Sequence, residues 1–167
     1  MAASVKRHDE GKVLNEKIKD IAVAMLTTRD AESGKIHSRP MLTLSENDGS
    51  DLWFLTQAST HKVDESEQQE VNLSYADLQK NRYVSVSGIA HLVQDQKKVQ
   101  KFWKPEHATW FPKGKDDPDL ALLKVTAMSA EYWDGPGNTV LQIFQAATSY
   151  AVGHATLEKH EKLEVQP

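Results

Sequence analysis

Lys35–Lys62, KIHSRPMLTLSENDGSDLWFLTQASTHK, is the stretch whose reading decides the fold. Along Lys35–Leu44 a period of two sets His37, Arg39, Met41 and Thr43 on one face of a strand, and Ile36, Ser38, Pro40, Leu42 and Leu44 on the other. Asn47-Asp48-Gly49 can take the left-handed dihedrals of a hairpin turn, so Leu52–Thr56 is expected to return as the partner strand. Ser59 and Thr60 then suit the N-cap of a helix beginning near His61-Lys62-Val63. The backbone N–H groups at such an end point toward a bound anion. Arg39 and Lys62 carry the charge to neutralise one, Arg as a planar fork and Lys as a point charge. On these residues alone, two solvated surface cations explain the pattern equally simply and are the commoner case.

On the N-terminal side, Asp9–Ala22 reads as an amphipathic helix, with Asp9 as N-cap and Leu14, Ile18 and Ile21 at helical spacing. Val23–Thr28 follows as a nearly all-apolar strand, suited to a barrel interior or a central place in a sheet. The polar residues 29–34 lead from it into the organising stretch.

Beyond Lys62, the segment KVDESEQQE has no apolar stripe past Val63 and is expected to be a short solvated helix. Glu65, Glu67 and Glu70 belong to that solvated face rather than to a metal cluster, since no His sits at a matching offset. Val71–Ala76 alternates as a half-buried strand, and Gln79-Lys80-Asn81 turns into a longer one, Arg82–Val93. Gly88 interrupts its side-chain row. A bulge or barrel corner is the expected reason, with close approach of a ligand the alternative.

Asp95 can cap a helix carrying Val99, Phe102 and Trp103 on its inner side. Lys104–Asp119, with three prolines and Gly114, reads as a long loop, and long loops of this kind are usually functional. Its aromatic pair, Trp110-Phe111, fits an interface or a pin to the core equally well. Asp116, Asp117 and Asp119 lack calcium-loop spacing and are expected only to keep the loop soluble. Two further strands are expected at Leu122–Thr126 and Ala130–Asp134. Gly135–Asn138 then stops the second, and a helix carries Val140, Phe144, Ala147 and Ala151. The tail 153–167 is a short strand or frayed.

The chain of 167 residues suits one domain, 1–167, with its core at roughly 12–150. It has no cysteine, which excludes disulfides, thiolate metal sites and Cys nucleophiles. A formal charge of −4 without a basic stripe argues against nucleic acid. No run approaches a membrane span, and the first residues lack the apolar stretch of a signal peptide, so a cytoplasmic protein without a membrane partner is expected. Seven histidines form no metal motif: His154 and His160, six positions apart, are the nearest pair. No catalytic triad or carboxylate pair stands out, leaving an organic cofactor bearing a phosphate as the chemistry the residues permit.

SRPM, WFLT, S-T-H-K, YVSVSGIAHLV and WFPKGKDDPDLALLKVTAMSAEYWDGPG together resemble the general stress protein 26 family, over roughly Lys12–Tyr150. That family belongs to the pyridoxamine 5′-phosphate oxidase-like, FMN-binding split-barrel superfamily. The resemblance implies a mainly β (α+β) fold: a six-stranded split β-barrel with peripheral helices, usually a homodimer holding FMN between protomers. By motif, Arg39 and Lys62 with Ser59 and Thr60 would hold the FMN phosphate. Met41, Leu42, Phe54, Leu55 and Thr56 would line the ribityl and ring region, and Trp110 and Phe111 would lie near the neighbouring protomer's flavin. True pyridoxamine phosphate oxidases carry a C-terminal Arg-x-His segment, and this chain has no Arg after Arg82, which argues against that substrate. The resemblance therefore implies either an FMN-dependent oxidoreductase with a small acceptor or a non-catalytic flavin-binding or redox-sensing stress protein. FAD, deazaflavin F420 and haem are the alternative cofactors.

Overall fold

A computed structural model of the chain describes residues 11–44, 51–60, 69–134 and 160–164. Helix α1 covers residues 11–18 and buries Leu14 and Ile18, followed by Ile21, against the barrel interior. The strands are β1 (Val23–Arg29), β2 (Ile36–Leu42), β3 (Asp51–Gln57), β4 (Gln69–Asp77), β5 (Arg82–Val93), β6 (Leu120–Asp134) and β7 (His160–Glu164). A second helix, α2, spans Gln96–Phe102, capped as expected by Asp95, whose side chain accepts from the Lys98 N–H at 3.1 Å. Among the described residues no helix is long and apolar enough to cross a membrane.

All ladders are antiparallel, in the order β2-β1-β4-β5-β6-β3, with β7 added to β6. The first and last strands of that order meet at one point, the Thr43↔Phe54 bridge, beside which the Leu44 N–H donates to the Trp53 carbonyl at 2.8 Å. The result is a six-stranded barrel left open along one seam. Alternation along β4 and β5 works as the sequence suggests: Val71, Leu73 and Tyr75 face inward, as do Val84, Val86 and Ala90.

Four expectations change. β3 takes β6 rather than β2 as its ladder partner, from Asp51↔Thr126 to Gln57↔Leu120. Both its faces are consequently buried: Leu52 and Phe54 enter the barrel core, while Trp53 and Leu55 join a second cluster with Val99, Phe102, Leu120 and Leu122 beneath α2. β1 is not apolar for an interior site, because Ala24 and Leu26 point in while Val23 and Met25 stay exposed. The two strands expected between Leu122 and Asp134 are one. Residues 105–109 of the expected loop form a 3-10 helix, Pro105–Thr109. The hairpin turn at Asn47–Gly49, the helix after Thr60 and the helix from Asn138 lie outside the described residues.

The continuity of β6 depends on a bulge. Ser87 pairs with Ser129 and Gly88 with Ala127, so Met128 is skipped. Val125 and Ala127 point inward before it and Ala130 and Tyr132 after it, and the extra residue keeps both runs in the core. Gly88 is required there: a Cβ would lie 2.5 Å from the Thr126 carbonyl oxygen, so backbone would have to move.

The far end of the barrel is tied to α1 by charge. Lys17 Nζ reaches Asp134 Oδ2 at 2.5 Å, Arg82 Nε lies 3.3 Å from Asp134 Oδ1, and Lys80 Nζ reaches Asp20 Oδ2 at 2.7 Å. Gly88→Ala is expected to lose about 1–3 kcal/mol of stability in urea unfolding, the cost of overpacking, since the β5–β6 ladder must shift to admit a methyl group. An unchanged midpoint would show that the bulge yields freely.

Candidate functional site

Of the residues the sequence singled out, the seam between β2 and β3 brings Arg39 and the turn Ala58–Thr60 together. From the Thr43↔Phe54 bridge, four residues back along β2 lead to Arg39 and four residues on along β3 lead to Ala58. The two sides of the opening therefore present Arg39 and the 3-10 turn Ala58–Thr60 at the same level. Arg39 lies on the inward face, opposite Leu26, in the row just beyond the Ala24–Met41 pair. It is half-buried, and burial pulls its guanidinium below its ordinary pKa. A cation so placed gains more from an anion than one fully in water does.

The turn is held from β6's side. Ser59 donates twice to Asp119, N–H to Oδ1 at 2.8 Å and Oγ to Oδ2 at 2.6 Å, while the Ala58 N–H donates to the Asp119 carbonyl at 2.8 Å. These bonds hold the Asp119 carboxyl below its usual pKa. The Asp119 N–H in turn donates to Asp117 Oδ1 at 3.0 Å. Sequence reasoning gave both aspartates to loop solubility, and no local pattern reveals a partner 60 positions away. Lys62, and the side chain of Thr60, lie outside the described residues.

The remaining candidates are less exposed than a lining would be. Phe54 is fully buried in the barrel core, Met41 belongs to the same core, and Leu55 packs under α2. Thr56 is buried as well. Leu42 is half-buried on the outward face, opposite Val23. The aromatic pair divides: Phe111 packs on the second cluster with its ring 6.5 Å from Trp103, whereas Trp110 is 63% exposed. Phe111 is thus a pin, whereas Trp110 faces solvent. A cleft lined by Gln94, Gln96, Asp116, Pro118 and Leu120 contains none of the candidates. No cluster able to hold a metal ion occurs among the described residues.

Comparison with known proteins places this geometry among relatives. A family model described as pyridoxamine 5′-phosphate oxidase like matches residues 9–157. Protein bli-3 of Neurospora crassa is 30% identical over 171 residues, covering 92% of this chain and 82% of that protein. A crystal structure from Clostridium acetobutylicum, of a protein related to general stress protein 26 of B. subtilis (pyridoxinephosphate oxidase family), superposes with a TM-score of 0.66. It is 19% identical over 95% of this chain and 96% of that one, a likeness of fold. The general stress FMN/FAD binding protein of the phytopathogen Xanthomonas citri superposes with a TM-score of 0.62 at 26% identity, over 75% of this chain and 89% of that one.

The segment that presents Trp110 is organised by a histidine the sequence analysis passed over. His107 is 2% exposed, and its Nδ1 accepts the Lys104 N–H at 3.0 Å, which requires a neutral ring protonated at Nε2. Its pKa is lowered from 6.5, chiefly by burial and further by Lys104, against the opposite pull of Glu106. The folded state then binds fewer protons than the unfolded state below that value, so stability is complete above about pH 6.5 and falls as the pH drops through it. The urea midpoint is expected to fall between about pH 7 and pH 5, and to fall less in His107→Gln, whose amide oxygen can still accept from Lys104. Equal slopes in the two proteins would remove His107 from this role.

Proposed function

Because the chain belongs to the pyridoxamine 5′-phosphate oxidase-like family, we propose that it is a flavin-binding stress protein that takes FMN and acts as an oxidoreductase on a small acceptor. The observation that carries this reading is the half-buried Arg39 on the inward face of β2, level with the turn Ala58–Thr60 across the open seam. A partly desolvated guanidinium suits a phosphate as a two-pronged partner. The name of the Xanthomonas citri relative, an FMN/FAD binding protein, supports a flavin in this chain also.

Arg39 and Lys62 supply the charge for the phosphate, and Thr60 belongs to the turn that receives it. Met41, Leu42, Phe54, Leu55 and Thr56 form the wall of the seam that faces the ribityl chain and ring, mainly by shaping its backbone, since most of their side chains are committed to the cores. When bound, the flavin supplies the hydride or electron transfer. The chain itself binds and orients the cofactor and limits access of water to it.

The same reading includes a homodimer with the cofactor between protomers, Trp110 reaching toward the neighbour's flavin while Phe111 pins its segment to the second cluster. The outward face of β2-β1-β4-β5 supports it. Val23, Met25, Pro40 and Leu42 sit there beside Thr27, Ser38, Asn72, Ser74, Ser85 and Ser87, with the charged Arg29 and Glu70 only at one end of the face. Depletion of charge marks interface centres. Hydroxyls and amides both donate and accept, so the face is complementary to a copy of itself, as a two-fold contact demands. Several such groups already bond to one another, as in Thr27 Oγ1 to Ser38 Oγ at 2.8 Å and Asn72 Nδ2 to Ser85 Oγ at 2.8 Å.

Titration by flavin fluorescence tests the cofactor. FMN is expected to bind, with Arg39→Ala and Lys62→Ala each weakening it by about 1.5–3 kcal/mol, the scale of hydrogen bonds to a charged group, and riboflavin unaffected. Unaltered FMN affinity in both variants would sink the phosphate assignment. Sedimentation tests the dimer: Met25→Glu is expected to convert it to monomer, because a charge would be buried against its own copy. A dimer that persists in Met25→Glu at the same concentration would place the interface elsewhere.

A further inference from the structure

All four polar groups of Asp119 are engaged. Its N–H donates to Asp117, its carbonyl accepts from Ala58, and its two carboxylate oxygens accept the N–H and the hydroxyl of Ser59. Ser59 has only those two donors, so with both on Asp119 it has no proton left to give to a phosphate. The β3–β6 ladder ends at Gln57↔Leu120, and Ala58 and Asp119 are the next residues along each strand. The contact therefore prolongs the ladder by one further step, through a side chain, into the turn at the mouth of the seam.

We infer that Asp119 is a positioning residue for the phosphate end of the site: it withdraws Ser59 from direct contact with ligand and uses it as a latch that fixes the turn Ala58–Thr60 to β6. This rests on the phosphate reading of the seam and goes beyond it, because it moves Ser59 from the ligand's contacts to the scaffold and gives a role to a carboxylate that simple charge counting would set against an anion. Both Asp119 oxygens are capped by Ser59, and solvent screens what charge remains. The latch also joins two segments far apart in the chain. Through Asp117 and the Leu120 N–H that donates to the Asp117 carbonyl at 3.0 Å, the turn is continuous with the end of the segment bearing Trp110.

A double-mutant cycle on FMN and riboflavin affinity separates the latch from a direct contact. Asp119→Ala and the double variant are expected to weaken FMN by the same factor, roughly three- to tenfold, the scale of losing a modest hydrogen-bonded contact, and Ser59→Ala, which keeps its N–H on Asp119, by a smaller factor. Riboflavin affinity is expected to stay constant, and Asp119→Asn, which keeps an acceptor for the Ser59 N–H, is expected to recover most of the loss. Tighter FMN binding in Asp119→Ala would mean that the carboxylate competes with phosphate and would overturn the inference. So would a further loss on adding Ser59→Ala to Asp119→Ala, since Ser59 would then touch the ligand itself. The same cycle run on urea unfolding of the flavin-free protein reads the latch without ligand: the double variant should be no less stable than Asp119→Ala, and additive losses would contradict it. Wild-type protein that binds neither flavin would overturn the phosphate reading and the ligand half of the inference, and the flavin-free cycle would then decide the latch alone.

Discussion

The barrel depends on one strand. β6 runs for 15 residues and carries β5 along its whole length on one edge, while its other edge is shared between β3 at the start and β7 near the end. A strand that long twists, and without correction its alternation would drift out of phase with the core on both sides. The skipped Met128 opposite the Ser87-Gly88 step absorbs that drift. It lets Val125 and Ala127 share one interior with Ala130 and Tyr132. Gly88 is the complementary condition on β5, because the bulged strand approaches too closely for any side chain. Two residues of opposite character, a spare Met and an obligatory Gly, thus set the curvature on which β3, the turn after it and the seam are placed.

Much of this was legible in the residues and some was not, for reasons that differ by element. β4 and β5 announced themselves because one face is core and the other is not, and strict alternation reports that directly. Gly88 was readable as a bend, since a glycine in such a row seldom has another use. β1 misled because Val23 and Met25 are apolar yet exposed on the single chain, so hydrophobicity alone overstated its burial. β3 was recognised as a strand but given β2 as its neighbour, because apolar residues on both faces are equally consistent with any central position, and the β6 partner lies 75 positions on in the register Asp51↔Thr126.

The site was legible to a different depth. Cations and a turn near a helix start are local signals, and Arg39 and Ser59 were singled out by them as candidates. Their partners were not, because a carboxylate that reaches back from Asp119 to Ser59 leaves no periodicity and no motif. The same holds for His107: a lone histidine between Glu106 and Ala108 looks solvated, and only the Lys104 N–H and the Trp103 ring, 5.6 Å away, turn it into a buried acceptor. Long-range polar contacts are the part of a fold that pattern reading cannot supply, since their specificity is geometric rather than compositional.

An arginine on the inward face of a barrel strand would be costly if the barrel closed. Taking a guanidinium out of water among Leu26, Met41 and their neighbours carries a desolvation penalty of several kcal/mol by general estimates, which apolar packing does not return. The seam resolves this. Because β2 and β3 meet at Thr43↔Phe54 and not beyond it toward Arg39, the side chain keeps partial access to solvent while staying fixed to a stiff strand. The incomplete closure and the cation are therefore one feature rather than two. A closed ladder would desolvate the arginine further, and an open seam lined only by apolar residues would expose hydrophobic surface for no return. The combination leaves a rigid, partly desolvated positive charge at the mouth of an apolar interior, opposite a turn held in place from β6. Under the flavin proposal, Arg39 and the turn would take the anionic end of the ligand and the opening its flat body, which would make the opening of this barrel its working part.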